Sequence, residues 1–397
     1  MDQFSPPSRQ YSFQGANTSM KTTFSLSLYC LLVFCLFGCS IDLDQPSIAT
    51  PSSEVASASP TFSPDVSLDK TTPSVITTTV PVTWSALNLT GSLVYISPPS
   101  AGDVSFFISI EALDLTTGEI RPIFTTSGDD WIFYMSVSPD AKNLVMSYIS
   151  PPQGNSSPSR ALYIMPLDGT IPPQLLFPPP SLDDHYVQAE WSPDGKYIYY
   201  AHYNSNDPFD AQLNPAYDIF RMSYPDGQPE KIADHAFWPR LSSDSTKLVY
   251  VSLDPVTGSN ELVIANADGS NAQVISGSSI PDLIDAPIFS PDGQSILFSA
   301  PPPPQAYQPN WFDKLLGVQV AKAHSIPSDW WSVPVTGGVP TRLTQIQTIN
   351  LFASISPDKK YIASVSGEGI FVMDLDGSNL TQLLFNPGVS GTVNWIP

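Results

Sequence analysis

One short phrase returns five times along the chain: Ser138-Pro139-Asp140, Ser192-Pro193-Asp194-Gly195, Ser242-Ser243-Asp244, Ser290-Pro291-Asp292-Gly293 and Ser356-Pro357-Asp358. Measured at the middle residue, positions 139, 193, 243, 291 and 357 are separated by steps of 54, 50, 48 and 66 residues. Self-similarity at such a period is the mark of a repeat architecture, and about fifty residues is the length of one four-stranded blade. The chemistry of the phrase is that of a hairpin turn. Pro presets φ at the first central position, Asp suits the second, and Gly accepts the positive φ that follows. An apolar residue precedes each phrase, in turn Val137, Trp191, Leu241, Phe289 and Ile355, and β-rich segments such as Tyr197-Ile198-Tyr199-Tyr200 follow.

A third strand comes later in each unit and ends in a second turn, with Asp168-Gly169, Asp226-Gly227, Asp268-Gly269 and Asp376-Gly377 as hairpin dipeptides. Phrases such as Gln174-Leu175-Leu176-Phe177 supply a fourth strand. Four antiparallel strands are too few to bury both faces of their own sheet, so the units must stack on one another and close into a ring. The ends give the count. Val393-Asn394-Trp395-Ile396-Pro397 matches Ala189-Glu190-Trp191-Ser192-Pro193 as a first strand, and Leu93-Val94-Tyr95-Ile96 reads as a second strand lacking its first. The two termini complete one blade, and residues 84–397 divided among six blades give about 52 each. The expected fold is all-β: a six-bladed β-propeller of four-stranded antiparallel blades, closed by N- and C-terminal strands in one blade.

Residues 24–37 form an apolar run of signal-peptide length, preceded by Lys21 and followed by Gly38 and Cys39. It is too short to span a bilayer comfortably. Leu36-Phe37-Gly38-Cys39 resembles a bacterial lipobox, in which the cysteine is acylated and becomes the mature N-terminus. Residues 1–38 are therefore expected to be a signal peptide, with Met20-Lys21 as a possible true start. Residues 39–83 are expected to form a lipid-anchored tether: from 45 to 83 they hold eight Ser, eight Thr and six Pro, too little apolar surface for a core. As a flexible coil this stretch reaches about 35 Å. Cys30 and Cys35 lie inside the apolar run, so all three cysteines are used before the folded part begins.

Lys plus Arg total 16 against 37 Asp plus Glu, a net charge of -21 that repels a phosphate backbone and excludes nucleic acid as a partner. The 42 prolines and 13% charged residues fit a turn-dense β protein.

The Ser-Pro-Asp-Gly turns, together with the Asp-Gly turns after phrases such as Asp218-Ile219-Phe220-Arg221-Met222, resemble the WD40-like (PD40) repeats of TolB-family propellers over residues 84–397. That resemblance implies the fold, and it does not imply a function. TolB itself carries a small α/β domain ahead of its propeller, and here the tether takes that place. Peptidase relatives add a hydrolase domain with a Gly-x-Ser-x-Gly elbow, which this sequence does not contain. Some TolB-like propellers are lyases on acidic oligosaccharides that hold a metal with channel histidines.

His185 and His235 share a repeat position nine residues before the turn Asp, where other blades carry Trp131, Leu283 and Ile349. They offer either the start of a channel-mouth ligand site or ordinary packing. Glu190 and Arg240 also occupy equivalent places and are expected to pair across a blade interface. Asp374-Leu375-Asp376-Gly377-Ser378-Asn379 superficially resembles a calcium loop but falls where every blade needs a turn. The 66-residue step holds an insertion, residues 301–329, whose Trp311 and Phe312 belong either to a packed helix or to a patch offered to a partner. Trp330 and Trp331 are expected in the core. No catalytic group, metal or cofactor is called for. The expectation is a monomeric, non-enzymatic interaction or scaffold module held to the bacterial cell membrane or outer membrane through lipid on Cys39. Its partner would be an envelope protein or a glycan; the alternative is a carbohydrate-binding or oligosaccharide-lyase-like propeller using the channel mouth.

Overall fold

The computed structural model describes residues 83–98, 107–128, 130–150, 160–207, 216–254, 259–275, 283–302, 326–386, 388–389 and 391–397. Cys39, the signal and most of the tether lie outside these residues, as do Trp311 and Phe312. Among the described residues no helix is long and apolar enough to cross a membrane.

The local element that repeats is the turn. In each of the five phrases the Ser hydroxyl donates to the Asp carboxylate two residues on, at 2.6 or 2.7 Å, and accepts the backbone N–H five residues on, at 2.9 Å. One side chain thus holds both the acid and the start of the next strand. The residue after the Asp adopts positive φ in every case: 54° at Ala141, 72° at Gly195, 60° at Ser245, 68° at Gly293 and 62° at Lys359. Glycine is present at only two of these five positions. The Asp226-Gly227 turn also departs from expectation: Gly227 is not among the positive-φ glycines, and the turn is built around a cis Tyr224–Pro225 peptide instead.

Among the described residues, twenty-four strands form six separate four-stranded antiparallel sheets. Blade 1 orders Val393–Ile396, Ser92–Ser97, Ser109–Asp114 and Ile120–Thr125. Blade 2 follows with Trp131–Val137, Asn143–Ile149, Ala161–Pro166 and Gln174–Phe177, and blade 3 with Asp184–Trp191, Tyr197–Asn204, Asp218–Ser223 and Glu230–Ala233. Blade 4 is Ala236–Leu241, Lys247–Leu253, Asn260–Asn266 and Gln273–Val274; blade 5 is Asp285–Phe289, Ser295–Ala300, Asp329–Pro334 and Thr341–Arg342. Blade 6 is Phe352–Ile355, Tyr361–Ser366, Gly369–Asp374 and Thr381–Phe385. The terminal strands pair as the sequence predicts, from Ser92 opposite Ile396 to Tyr95 opposite Val393.

The core lies between blades. Val145 and Leu162 of blade 2 meet Tyr186 and Ile198 of blade 3, and Leu297 and Trp330 of blade 5 meet Ala353 and Ile362 of blade 6. Trp330 donates to the Ser364 hydroxyl and Trp331 to the Ala300 carbonyl, so both indoles are buried with their polar atoms satisfied. The first strand of each blade is innermost and contacts the first strand of its neighbour. Its edge N–H groups would be orphaned there, and side chains of the preceding blade accept them. Asn394 takes Val137 N–H at 3.0 Å, Ser136 takes Trp191 N–H at 3.1 Å, Gln188 takes Trp238 N–H at 2.9 Å and Ser354 takes Trp395 N–H at 3.0 Å.

Candidate functional site

The antiparallel order sorts the connections onto two faces. Both hairpin turns of every blade lie on one, hereafter the hairpin face. The links from second to third strand, and from each blade to the next, lie on the other, the link face. The short helix Trp84–Leu87, which leads into blade 1, sits on the hairpin side. Its Trp84 indole covers Gly118, where a Cβ would stand 2.0 Å from the ring nitrogen.

Between the faces the channel is closed by aromatic rings. The first strands of blades 2 to 5 each carry a bulge, and Gln188, Trp238 and Ala286 sit in three of them at φ 56°, 57° and 44°. A bulge re-aims the side chain it carries. Trp238 turns toward the axis and meets Tyr134 at 5.0 Å, edge to face, and Phe352 at 5.2 Å; Tyr134 and Phe352 lie 6.2 Å apart. Rings from blades 2, 4 and 6 thus form a plug.

Below the plug, on the hairpin side, a cavity of about 300 Å³ is lined by Glu190, Arg240, Ile288, Ile355, Asn394 and others. Glu190 and Arg240 pair there across the blade 3–4 interface, as their repeat positions predict. The Asp374–Asn379 stretch is a turn: Ser378 donates to the carboxylates of Asp374 and Asp376, and Asn379 donates to Asp374.

Above the plug, the link face of blades 2 to 4 is aromatic. The His185 ring stacks on Tyr203 with centroids 4.7 Å apart, Tyr203 meets Tyr217 at 5.0 Å, and Tyr217 meets Phe237 at 5.7 Å. The Arg160 guanidinium lies over the Phe133 ring at 4.0 Å, and its backbone N–H donates to Nδ1 of His185 at 3.2 Å. Burial, reinforced by the Arg160 charge, holds His185 below its ordinary pKa, so the ring is neutral at pH 7 with its proton on Nε2. Burial also raises Tyr217 to about 12 and Tyr203 above its ordinary value, which keeps both phenols protonated. The wider link face exposes Phe107, Trp131, Leu182, Ile349 and Phe385, the last at 68%.

His235 stands one blade on from His185, its N–H held by Asp218 at 3.1 Å, with different neighbours. His202 pairs with Asp184 at 2.8 Å, a carboxylate that also accepts from Ser181 and Asn204. Among the described residues no three His, Cys, Asp or Glu side chains are grouped to hold a metal. Arg160, Tyr203, Tyr217 and the plug were not singled out from the sequence. With the blades aligned at the start of the third strand, Arg160 and Tyr217 share the place just before it, where the other blades carry Ile108, Ser259, Ser328 and Glu368.

No protein-family model matches the chain. TolB from Acinetobacter baumannii is similar over 77% of this chain and 67% of its own, at 17% identity and a TM-score of 0.56. A TolB candidate from Agrobacterium tumefaciens is similar over 78% and 99%, at 17% identity and 0.50. One component of a nidogen/laminin complex is similar over 76% and 97%, at 12% identity and 0.53. With sheets, closure and these likenesses in agreement, the chain is a six-bladed β-propeller of the TolB-like architecture.

Proposed function

We propose that this protein is a non-enzymatic interaction module of the bacterial cell envelope, anchored through lipid on Cys39 and binding a protein partner with its link face. The observation that carries this reading is the continuous run of rings from His185 to Phe237, with Arg160 at its His185 end and Trp131 and Phe385 exposed elsewhere on the same face. Aromatic residues and Arg are the side chains that dominate protein–protein binding energy, and exposed apolar surface of this kind marks an interaction site. The likeness to TolB and to the nidogen/laminin component is compatible with a binding role. The polypeptide also enters blade 1 from the hairpin side, which leaves the link face clear of the tether's attachment point.

Two measurements test the reading. Cys39→Ser releases the protein into soluble fractions, because several buried acyl chains at about 0.8 kcal/mol per CH₂ account for the anchoring; unchanged partitioning rejects the lipid site. A photo-crosslinking residue placed at Trp131, Phe237 or Phe385 yields a discrete adduct in intact cells, whereas one at Lys196 or Asp268 on the hairpin face does not. Adducts from the hairpin face alone would overturn the assignment.

A further inference from the structure

Arg160 stands out among the cations of the link face. Lys231 is spent on Asp218 and Asp234, both at 2.8 Å, and Arg342 is spent on Asp329. Arg160, half-buried, meets no carboxylate among the described residues. It is held from one side by the Phe133 ring and by its own N–H on His185. The same His185 ring stacks on Tyr203, which meets Tyr217, so contacts run from Arg160 through His185 to both phenols. Among the described residues the hydroxyls of Tyr203 and Tyr217 have no hydrogen-bond partner, and the neutral His185 ring keeps one N–H to give.

We propose that Arg160, with Tyr203, Tyr217 and His185, forms a carboxylate-binding site on the link face that takes a single acidic group of a protein partner, either its C-terminal carboxylate or one Asp or Glu side chain. The proposal rests on the interaction reading above and names the chemistry of the partner. A guanidinium seated over an aromatic ring and free of a carboxylate keeps its planar N–H fork available, and that fork matches a carboxylate bidentately. Phenolic O–H and imidazole N–H groups beside it supply further donors and no acceptor-bearing anion. Of the acids near the site, Asp184 is engaged by Ser181, His202 and Asn204 and Asp285 by the Ala286 N–H, while the exposed Asp183 acts on the His185 ring from the solvent side. A uronate polymer carries a carboxylate on every sugar and calls for repeated cations. One cation, in a protein of net charge -21, fits a single acidic group.

The test is calorimetric titration of the full-length protein in detergent with acetyl-Ala-Ala-Phe, with its C-terminal amide, and with digalacturonate. The free acid is expected to bind about tenfold more tightly than the amide at low salt, the factor for one hydrogen-bonded charge, with the preference shrinking as salt screens it. Arg160→Gln abolishes the preference, Arg160→Lys keeps part of it, and Tyr203→Phe and Tyr217→Phe each lower it severalfold. Should Arg160→Gln melt far below the wild type, the Lys and Phe variants decide. No binding of the acid, equal binding of acid and amide, or a preference that survives Arg160→Gln overturns the site. Tighter binding of digalacturonate than of the acid peptide overturns the protein source and assigns a glycan. Persistence of link-face crosslinks in Arg160→Gln leaves the interaction reading standing while the carboxylate site falls; crosslinks from the hairpin face alone remove both.

Discussion

At the scale of single residues, the repeated turn makes stability depend on acid and on backbone conformation in ways that can be separated. The Asp244 carboxylate is held down from 3.8 to about 2, first by the Ser242 hydroxyl and then by the N–H and hydroxyl of Thr246. Asp140, Asp292 and Asp358 are lowered for the same first reason, by Ser138, Ser290 and Ser356. A carboxylate lowered in the folded state binds fewer protons there than in the unfolded state. Its stabilisation is therefore complete above about pH 4 and is lost as pH falls toward about 2. Melting temperature should climb between those limits, and Ser242→Ala should reduce the climb while costing about 1 kcal/mol at neutral pH. An unchanged acid profile in that variant would remove the hydroxyl from the account. The residue after the Asp tests the backbone separately. At Gly293 (φ 68°) a Cβ would meet nothing within 4 Å, so Gly293→Ala should cost about 1 kcal/mol from conformation alone. Lys359→Gly, at φ 62°, should gain a few tenths of that, because the relieved strain is partly offset by the freedom glycine adds to the unfolded state.

At the scale of elements, the long link of blade 5 shows where sequence reading stopped. The repeat locates the insertion between residues 301 and 329, but the fold claims both of its ends. Pro301 and Pro302 are buried, and Asp329 opens the third strand at 0% exposure, with Arg342 Nη2 at 2.5 Å and the Gln347 N–H at 3.2 Å. Replacing residues 303–325 by a short Gly-Ser link should leave melting within about 2 °C of the wild type, since loop closure changes by only about 0.6 kcal/mol per doubling of length. Removing 301–329 in full should cost at least about 3 kcal/mol, because Arg342 loses a buried partner. Equal melting of the two deletions would show that Asp329 is not the anchor described. The blades themselves were legible because a tight turn needs particular residues, and Ser, Pro, Asp and Gly announce it wherever it recurs. The link-face site was not. Only His185 drew notice, through its shared repeat position; Arg160, Tyr203 and Tyr217 fall at positions with no fixed chemistry, and the stacking of blade 3 on blade 2 is what brings them together. The bulges that aim Trp238 inward were hidden for a related reason: a single extra residue in a strand leaves its apolar pattern nearly unchanged.

At the scale of the whole molecule, six sheets that cannot stand alone become one cooperative body only if the ring is shut, and the shutter is a single short strand. Val393–Ile396 supplies the innermost strand of blade 1. It is tied on both flanks: Asn394 accepts the Val137 N–H of blade 2, and the Trp395 N–H reaches Ser354 of blade 6. The Trp395 indole lies over Tyr361 at 6.4 Å and donates to the Thr90 carbonyl at 2.9 Å. Truncation after residue 392 therefore removes a sheet partner, three inter-blade bonds and a buried tryptophan in one step. Loss of the indole alone, as in Trp395→Ala, is expected to cost about 3–5 kcal/mol. The truncation should cost more, and it leaves the Ser92–Ser97 strand as an open edge, the feature that invites strands of other molecules to add. The expected result is early melting together with concentration-dependent self-association. A peptide spanning residues 391–397, added in trans, should raise the melting temperature of the truncated protein by filling the vacant edge as an added strand. It should have no effect on the intact protein, whose edge is already paired. A truncated protein that melts like the intact one, and ignores the peptide, would mean that the ring holds without its closing strand and that the blades are more self-sufficient than four-stranded sheets ought to be.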